Sequence, residues 1–202
     1  MFKKGMFALI VLAISSCAFA EGAPYFGLNV AVNSGSVQLS NAGVTSNFSA
    51  KGESGGVLVG FGADLENNLH VAAEIFGNDT TANTITKVIN LAGTTAKIKP
   101  SYSYGASLLP GIRLGADTML FLRIGGVRGR FDLTQTFGSA QQTSSTIANG
   151  AEVGAGAQLA LSNNLSLRGE YNYINYSSFR SLGSSIHSHN NQLSMALLYR
   201  FL

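Results

Sequence analysis

The run His187-Ser188-His189 is the one cluster in this chain whose residue types suggest catalysis. An imidazole can act as general base toward a serine hydroxyl when an acid orients it. Here the run sits in a Ser/Asn-rich stretch with no acid beside it, and neighbours on an extended strand point opposite ways. Two histidines two residues apart could share a metal ion, but no third ligand is apparent. The glycine-rich run "GVLVGFG" (56–62) has no helix after it, which excludes a phosphate-binding loop. The chain is therefore read as a non-enzyme, with no catalytic, cofactor or metal site.

A second set of residues is more informative. Asp64, Glu74, Arg113, Arg123, Glu152, Arg168, Glu170 and Arg200 each interrupt a stretch of apolar or small residues. A third set, Lys51, Lys87, Lys97, Lys99, Arg128, Arg130 and Arg180, lies at the ends of such stretches. What either set can do depends on the elements that position it.

Those elements are strands. Period-two alternation, the mark of a strand with two unlike faces, recurs at 25–33, 56–65, 69–76, 101–114, 120–125, 151–161, 165–173 and 193–201. One face carries Phe, Leu, Val, Ile or Tyr; the other carries Gly, Ala, Ser and the charges. Short turn-forming links at 66–68, 115–117 and 162–164 alternate with polar stretches near 38–52, 78–98, 132–148 and 178–190. The latter are read as four long loops, all at one end of the sheet. No segment has a helical period.

Composition narrows the class. Residues 1–20 read as a cleaved signal peptide: Lys3 and Lys4, an apolar Met6–Ile14, then Ala18-Phe19-Ala20. Lipidation at Cys17 is the competing reading of the same segment. Without it the net charge falls from +3 to +1, because two lysines leave, and the basic balance argues for no nucleic-acid partner. Only 11% of residues are charged, against about 25% in ordinary soluble domains. No apolar run after residue 20 is long enough for a membrane helix.

The polar face is too poor in Lys, Glu and Thr for a water-exposed surface and suits a narrow interior. Inverting the faces puts the apolar side in lipid. There every strand edge must be hydrogen-bonded, so the sheet must close. The expected fold is all-β: a closed eight-stranded antiparallel up-and-down transmembrane β-barrel over 21–202, with the pattern of a bacterial outer membrane.

At this point "SYGASLLPGIRLGADTMLFLRIGGVRGRF" (103–131), "LSLRGEYNYINYSS" (165–178) and the terminal "LLYRFL" resemble the small outer-membrane barrels of the opacity and outer-membrane-protein-A-like type. The resemblance implies surface adhesion or shielding by the loops, and recognition of the last strand by the barrel assembly machinery. Members commonly end on an aromatic, whereas Phe201 here is penultimate. Tyr199 and Phe201 are the expected assembly signal.

The charged sets now acquire places. Glu74, Arg123 and Glu170 are expected at similar depth in the lumen. Asp64, Arg113, Arg168 and Arg200 are expected nearer the short-turn end, and Glu152 nearer the loops. Together they should plug the lumen with ion pairs, since an isolated buried charge is costly. A narrow porin gated by the same pairs is the alternative function, and a lipid A-modifying enzyme a third. Arg128, Arg130, Lys97 and Lys99 are candidates for lipopolysaccharide phosphates. Tyr102, Tyr104, Tyr171 and Tyr173 should form the outer aromatic girdle. Outer-membrane lipid, lipopolysaccharide and a host or surface ligand at the loops are the expected partners.

Overall fold

The computed structural model describes residues 22–41, 44–81, 85–88, 95–137, 140–181 and 184–201. The expected signal peptide, Cys17 and Leu202 lie outside the described residues, as do the side chains of Lys87, Lys97, Arg180 and His187.

Alternation does produce strands throughout. They are β1 (Gly22–Asn41), β2 (Val44–Asp64), β3 (Leu69–Thr80), β4 (Ile85–Val88), β5 (Thr95–Arg113), β6 (Thr118–Phe137), β7 (Ala140–Ala160), β8 (Leu165–Ser181) and β9 (Ser184–Arg200). All described pairings are antiparallel. β3 bonds to β5, and β1 bonds to β9, so eight strands close on themselves. The short β4 bonds only to the outer half of β5, beyond the end of β3.

Two of the three short links turn through residues that tolerate a left-handed backbone. Asn67 and Asn68 have φ of 61° and 62°, and Gly115 has φ of 90°. At the other end the polar stretches depart from expectation. Residues 38–41, 44–52, 132–137, 140–148, 178–181 and 184–190 are strand, so these stretches are extended hairpins and not irregular loops. Beyond the bilayer both faces of a strand are wet, and alternation disappears while the hydrogen-bond ladder continues. Within 78–98 the described strand comes as the end of β3, the short β4 and the start of β5.

The register gives the barrel its tilt. Cross-strand partners run from Tyr25 through Gly60, Glu74, Ser107, Gly125, Glu152, Ile174 and Asn190 to Gly35, ten residues along the starting strand. That shear, with eight strands, leaves an interior about as wide as the side chains that fill it.

The faces are assigned as the alternation requires. Leu28, Val59, Ile75, Leu108, Leu122, Val153, Tyr171 and Met195 are exposed on the outside. Leu58, Leu109, Met119, Phe121 and Leu198 share the inward face with the charges and pack with Tyr25 into a buried apolar cluster. Glycine beside a large inward residue lets that residue lie flat across the sheet. A Cβ at Gly60 would overlap the Tyr25 ring, and one at Gly154 would overlap the Asn172 amide.

Valine at Gly60 or Gly154 should therefore destabilise the barrel by about 1–3 kcal/mol, the usual cost of overpacking. Urea unfolding of the folded barrel in lipid vesicles measures it. Valine at exposed Gly169, where no atom lies within 4 Å of a new Cβ, should leave the midpoint in place.

Candidate functional site

Six strands bring the centre of the lumen together. Glu74 on β3 is fully enclosed, and its carboxylate is shared between two guanidiniums. Arg123 Nη2 on β6 donates to Oε2 at 2.6 Å, and Arg168 Nη1 on β8 donates to Oε1. The Tyr25 hydroxyl on β1 donates to Oε1 as well, at 2.7 Å. Arg123 also reaches Glu170 on β8, with Nε and Nη2 at 3.2 and 3.0 Å from Oε2. The other Glu170 oxygen accepts from Asn172 Nδ2 at 3.1 Å and Ser194 Oγ at 3.2 Å. Arg168 spends its remaining donors on Gln158 Oε1, at 3.2 and 3.0 Å.

Aromatic rings hold the two arginines in place. The Arg168 guanidinium lies 5.0 Å from the Phe121 ring centre and 5.6 Å from that of Tyr25, and Arg123 lies 5.8 Å from that of Phe76. These ring contacts add a cation–π attraction that is stronger away from water. Two buried cations thus meet two buried anions, and the apolar cluster packs below them. A buried carboxylate survives only with such pairing.

The expected placements can now be compared. Glu74, Arg123 and Glu170 do meet. Arg168, expected toward the short-turn end, joins them, because its long side chain and the barrel's shear carry it to Glu74. Glu152 stays apart, accepting one hydrogen bond from Ser107 Oγ at 3.1 Å. Asp64, Arg113 and Arg200 form a separate group at the short-turn end. Asp64 receives Arg113 bidentately, both distances 2.8 Å, and His70 Nδ1 at 2.7 Å, with Arg200 Nη1 at 3.9 Å. Tyr25, Ser107, Gln158, Asn172, Ser194 and His70 were not singled out in sequence. Their shared parity with the charges was the available signal.

The outer rim is a third cluster, on the lipid-facing side of β5–β7. Arg128 Nε donates to Asn149 Oδ1 at 2.8 Å. Arg130 Nη2 donates to Ser145 Oγ at 3.0 Å and Nε to Asp132 Oδ1 at 3.3 Å, while Ser145 donates to the same oxygen at 2.7 Å. The Ser145 hydroxyl, then the Arg130 guanidinium, hold the Asp132 carboxyl below the usual carboxylate range. Exposed Lys99 faces Asp132 across the β5–β6 register. Tyr102 and Tyr104 stand beside the arginines with ring centres 6.4 Å apart, and Tyr171 and Tyr173 are exposed likewise. At the other end Tyr199 and Phe201 are exposed, edge to face at 5.2 Å.

His189 and Ser188 separate as strand geometry demands. His189 packs against Tyr173, with ring centres 6.0 Å apart, whereas Ser188 is buried.

An even-numbered closed barrel with an apolar exterior, a charged interior and short turns at one end is a membrane-spanning design. Residues 6–201 match the family model of the outer membrane protein beta-barrel domain. The chain belongs to that family. No curated protein sequence matches it. Among solved structures it is similar to Ail, the attachment invasion locus protein of Yersinia pestis, in complex with the heparin analogue sucrose octasulfate. Identity there is 15%, the TM-score is 0.51, and the match covers 90% of this chain and 99% of Ail. Neisserial surface protein A is 19% identical with a TM-score of 0.45, covering 86% of this chain and 97% of that one. The outer membrane protease OmpT from Escherichia coli is 10% identical with a TM-score of 0.48, covering 89% and 97%. At these identities the neighbours speak to the fold alone.

As an outer-membrane barrel, the protein resides in the bacterial outer membrane, with its short turns in the periplasm and its extended hairpins outside. Two buried lumen carboxylates, one inside the network and one apart from it, should then contribute unequally. Glu74→Gln leaves Arg168 without its carboxylate and Arg123 with Glu170 alone, and should cost about 3–5 kcal/mol. Glu152→Gln loses little more than one hydroxyl contact and should cost about 1 kcal/mol. Urea unfolding in vesicles distinguishes them.

Proposed function

We propose that this outer-membrane barrel does not conduct and acts as a scaffold for its extracellular hairpins. Contacts made by those hairpins at the cell surface, host attachment among them, are its function. The carrying observation is the network in which Arg123 and Arg168 bridge Glu74, Glu170 and Gln158 across the lumen, stacked on apolar side chains. A filled lumen leaves function to the outer ends, where binding on a rigid scaffold usually resides. The attachment role in Ail's name agrees with this reading. No enzyme chemistry is part of it, since Ser188 and His189 face opposite ways.

The rim carries the lipid side of the role. Lys99, Arg128 and Arg130 put three cations against one carboxylate at the tyrosine girdle, where lipopolysaccharide phosphates lie. A guanidinium fork grips such a phosphate in a bidentate manner. Tyr199 and Phe201, on the closing strand, present the aromatic edge that the assembly machinery would read.

The alternative is a narrow pore. It has one observation in its favour, the open space at each end of the plug. A pore would require Arg123 and Arg168 to leave Glu74. In planar lipid bilayers the wild-type protein should give no single-channel steps, and Glu74→Ala should give them. Steps from the wild type would overturn the non-conducting assignment. Adding lipopolysaccharide to barrel-bearing vesicles should raise the thermal midpoint. The R128Q/R130Q variant should need about tenfold more for the same rise, as expected when about 1.4 kcal/mol of binding is lost; an unchanged response would refute the rim assignment.

A further inference from the structure

Below the plug the lumen widens into a polar vestibule at the periplasmic end, about 1210 Å³ including the solvent it admits. Its walls include Gln158, Arg113, Arg168, Arg200, His70 and Ser166. Counting charge there gives an imbalance. Asp64 is the carboxylate at the floor, and its one negative charge is shared between Arg113, held bidentately, and the more distant Arg200, with His70 Nδ1 on Oδ1. Arg200 stands at 3.9 Å from it, beyond hydrogen-bond length, with its side chain 30% exposed. Gln158 offers its one oxygen to both Arg168 nitrogens, so its amide NH2 is left without an acceptor among the described residues. The carboxylate of Arg168, Glu74, lies above in the plug. Asp117 is the further acidic residue on the lining, but it sits exposed on a turn at the lip, where water and salt screen it.

Cationic charge therefore exceeds anionic charge on the inner walls of a cavity whose upper wall is the apolar pair Met119 and Leu198. We propose that this vestibule is a binding site for a small oxyanion, a phosphate or a carboxylate, held by the Arg200 guanidinium and the Gln158 amide. A guanidinium supplies two parallel N–H groups to either anion, and the amide supplies a third donor. A recess lined by one predominant sign of charge focuses that attraction more than an open surface does. The site faces the periplasm and is independent of the phosphate contacts at the outer rim. It would let the barrel engage an anionic group on the inner side of the membrane, either free phosphate or a carboxylate borne by a periplasmic molecule.

The test is site-resolved NMR of the folded full barrel in detergent micelles at constant ionic strength. Inorganic phosphate and acetate are titrated separately while the Gln158 side-chain amide and the Arg200 Nε–H are followed. A saturable shift of both signals is expected. Phosphate alone producing it assigns a phosphate-bearing ligand, and acetate producing it assigns a carboxylate. Arg200→Gln should weaken binding about tenfold or more, the loss of one charge-assisted pair. Arg200→Lys, which keeps the charge and the closing strand but loses the fork, should fall between. No saturable shift at Gln158 in the wild type, or equal binding by wild type and R200Q, would overturn the site.

Discussion

A strand cannot cross hydrocarbon with an unpaired edge. Each backbone N–H or C=O left without a partner there costs several kcal/mol, so the sheet must bond its first strand to its last. The β1–β9 ladder, with Phe26 against Tyr199 and Val32 against Leu193, meets that demand, and β3–β5 completes the circuit. Once eight strands close with a shear of ten, the interior has a fixed width. Every inward side chain must then fit, and every inward charge must find its opposite.

Glu74 is where those two requirements meet. It has no exposure to water and two guanidiniums on its oxygens. The arginines come from strands far along the chain, so only the closed barrel can assemble the group. Glycine at Gly60 and Gly154 supplies the room for Tyr25 and Asn172 to lie across the sheet. The plug divides the lumen into unlike ends. Amides and hydroxyls such as Asn190, Gln192 and Ser188 line the outer one, and guanidiniums of Arg113 and Arg200 the periplasmic one.

Much of this was legible in sequence because period two survives wherever one face meets lipid. Leu193, Met195 and Leu197 on the outside and Arg200 within followed from parity alone. So did the meeting of Glu74, Arg123 and Glu170, which lie at similar distances from their short turns. Arg168 lines the short-turn end of the lumen as expected, but its long side chain also reaches Glu74, which position along a strand does not show. Neutral partners such as Tyr25, Gln158 and Ser194 carry no charge to mark them among other polar residues. The extended hairpins escaped notice because polarity on both faces erases the alternation that identifies a strand.

The charge group centred on Glu74, proposed to close the lumen, should be mutually dependent and not an independent packing of its members. A double-mutant cycle isolates that dependence. Urea unfolding in vesicles of wild type, Glu74→Gln, Arg168→Met and the double variant provides the four free energies. Coupling of about 1.5–3 kcal/mol is the result expected, with the double variant less destabilised than the sum of the singles. Additive losses within about 0.5 kcal/mol would contradict the account.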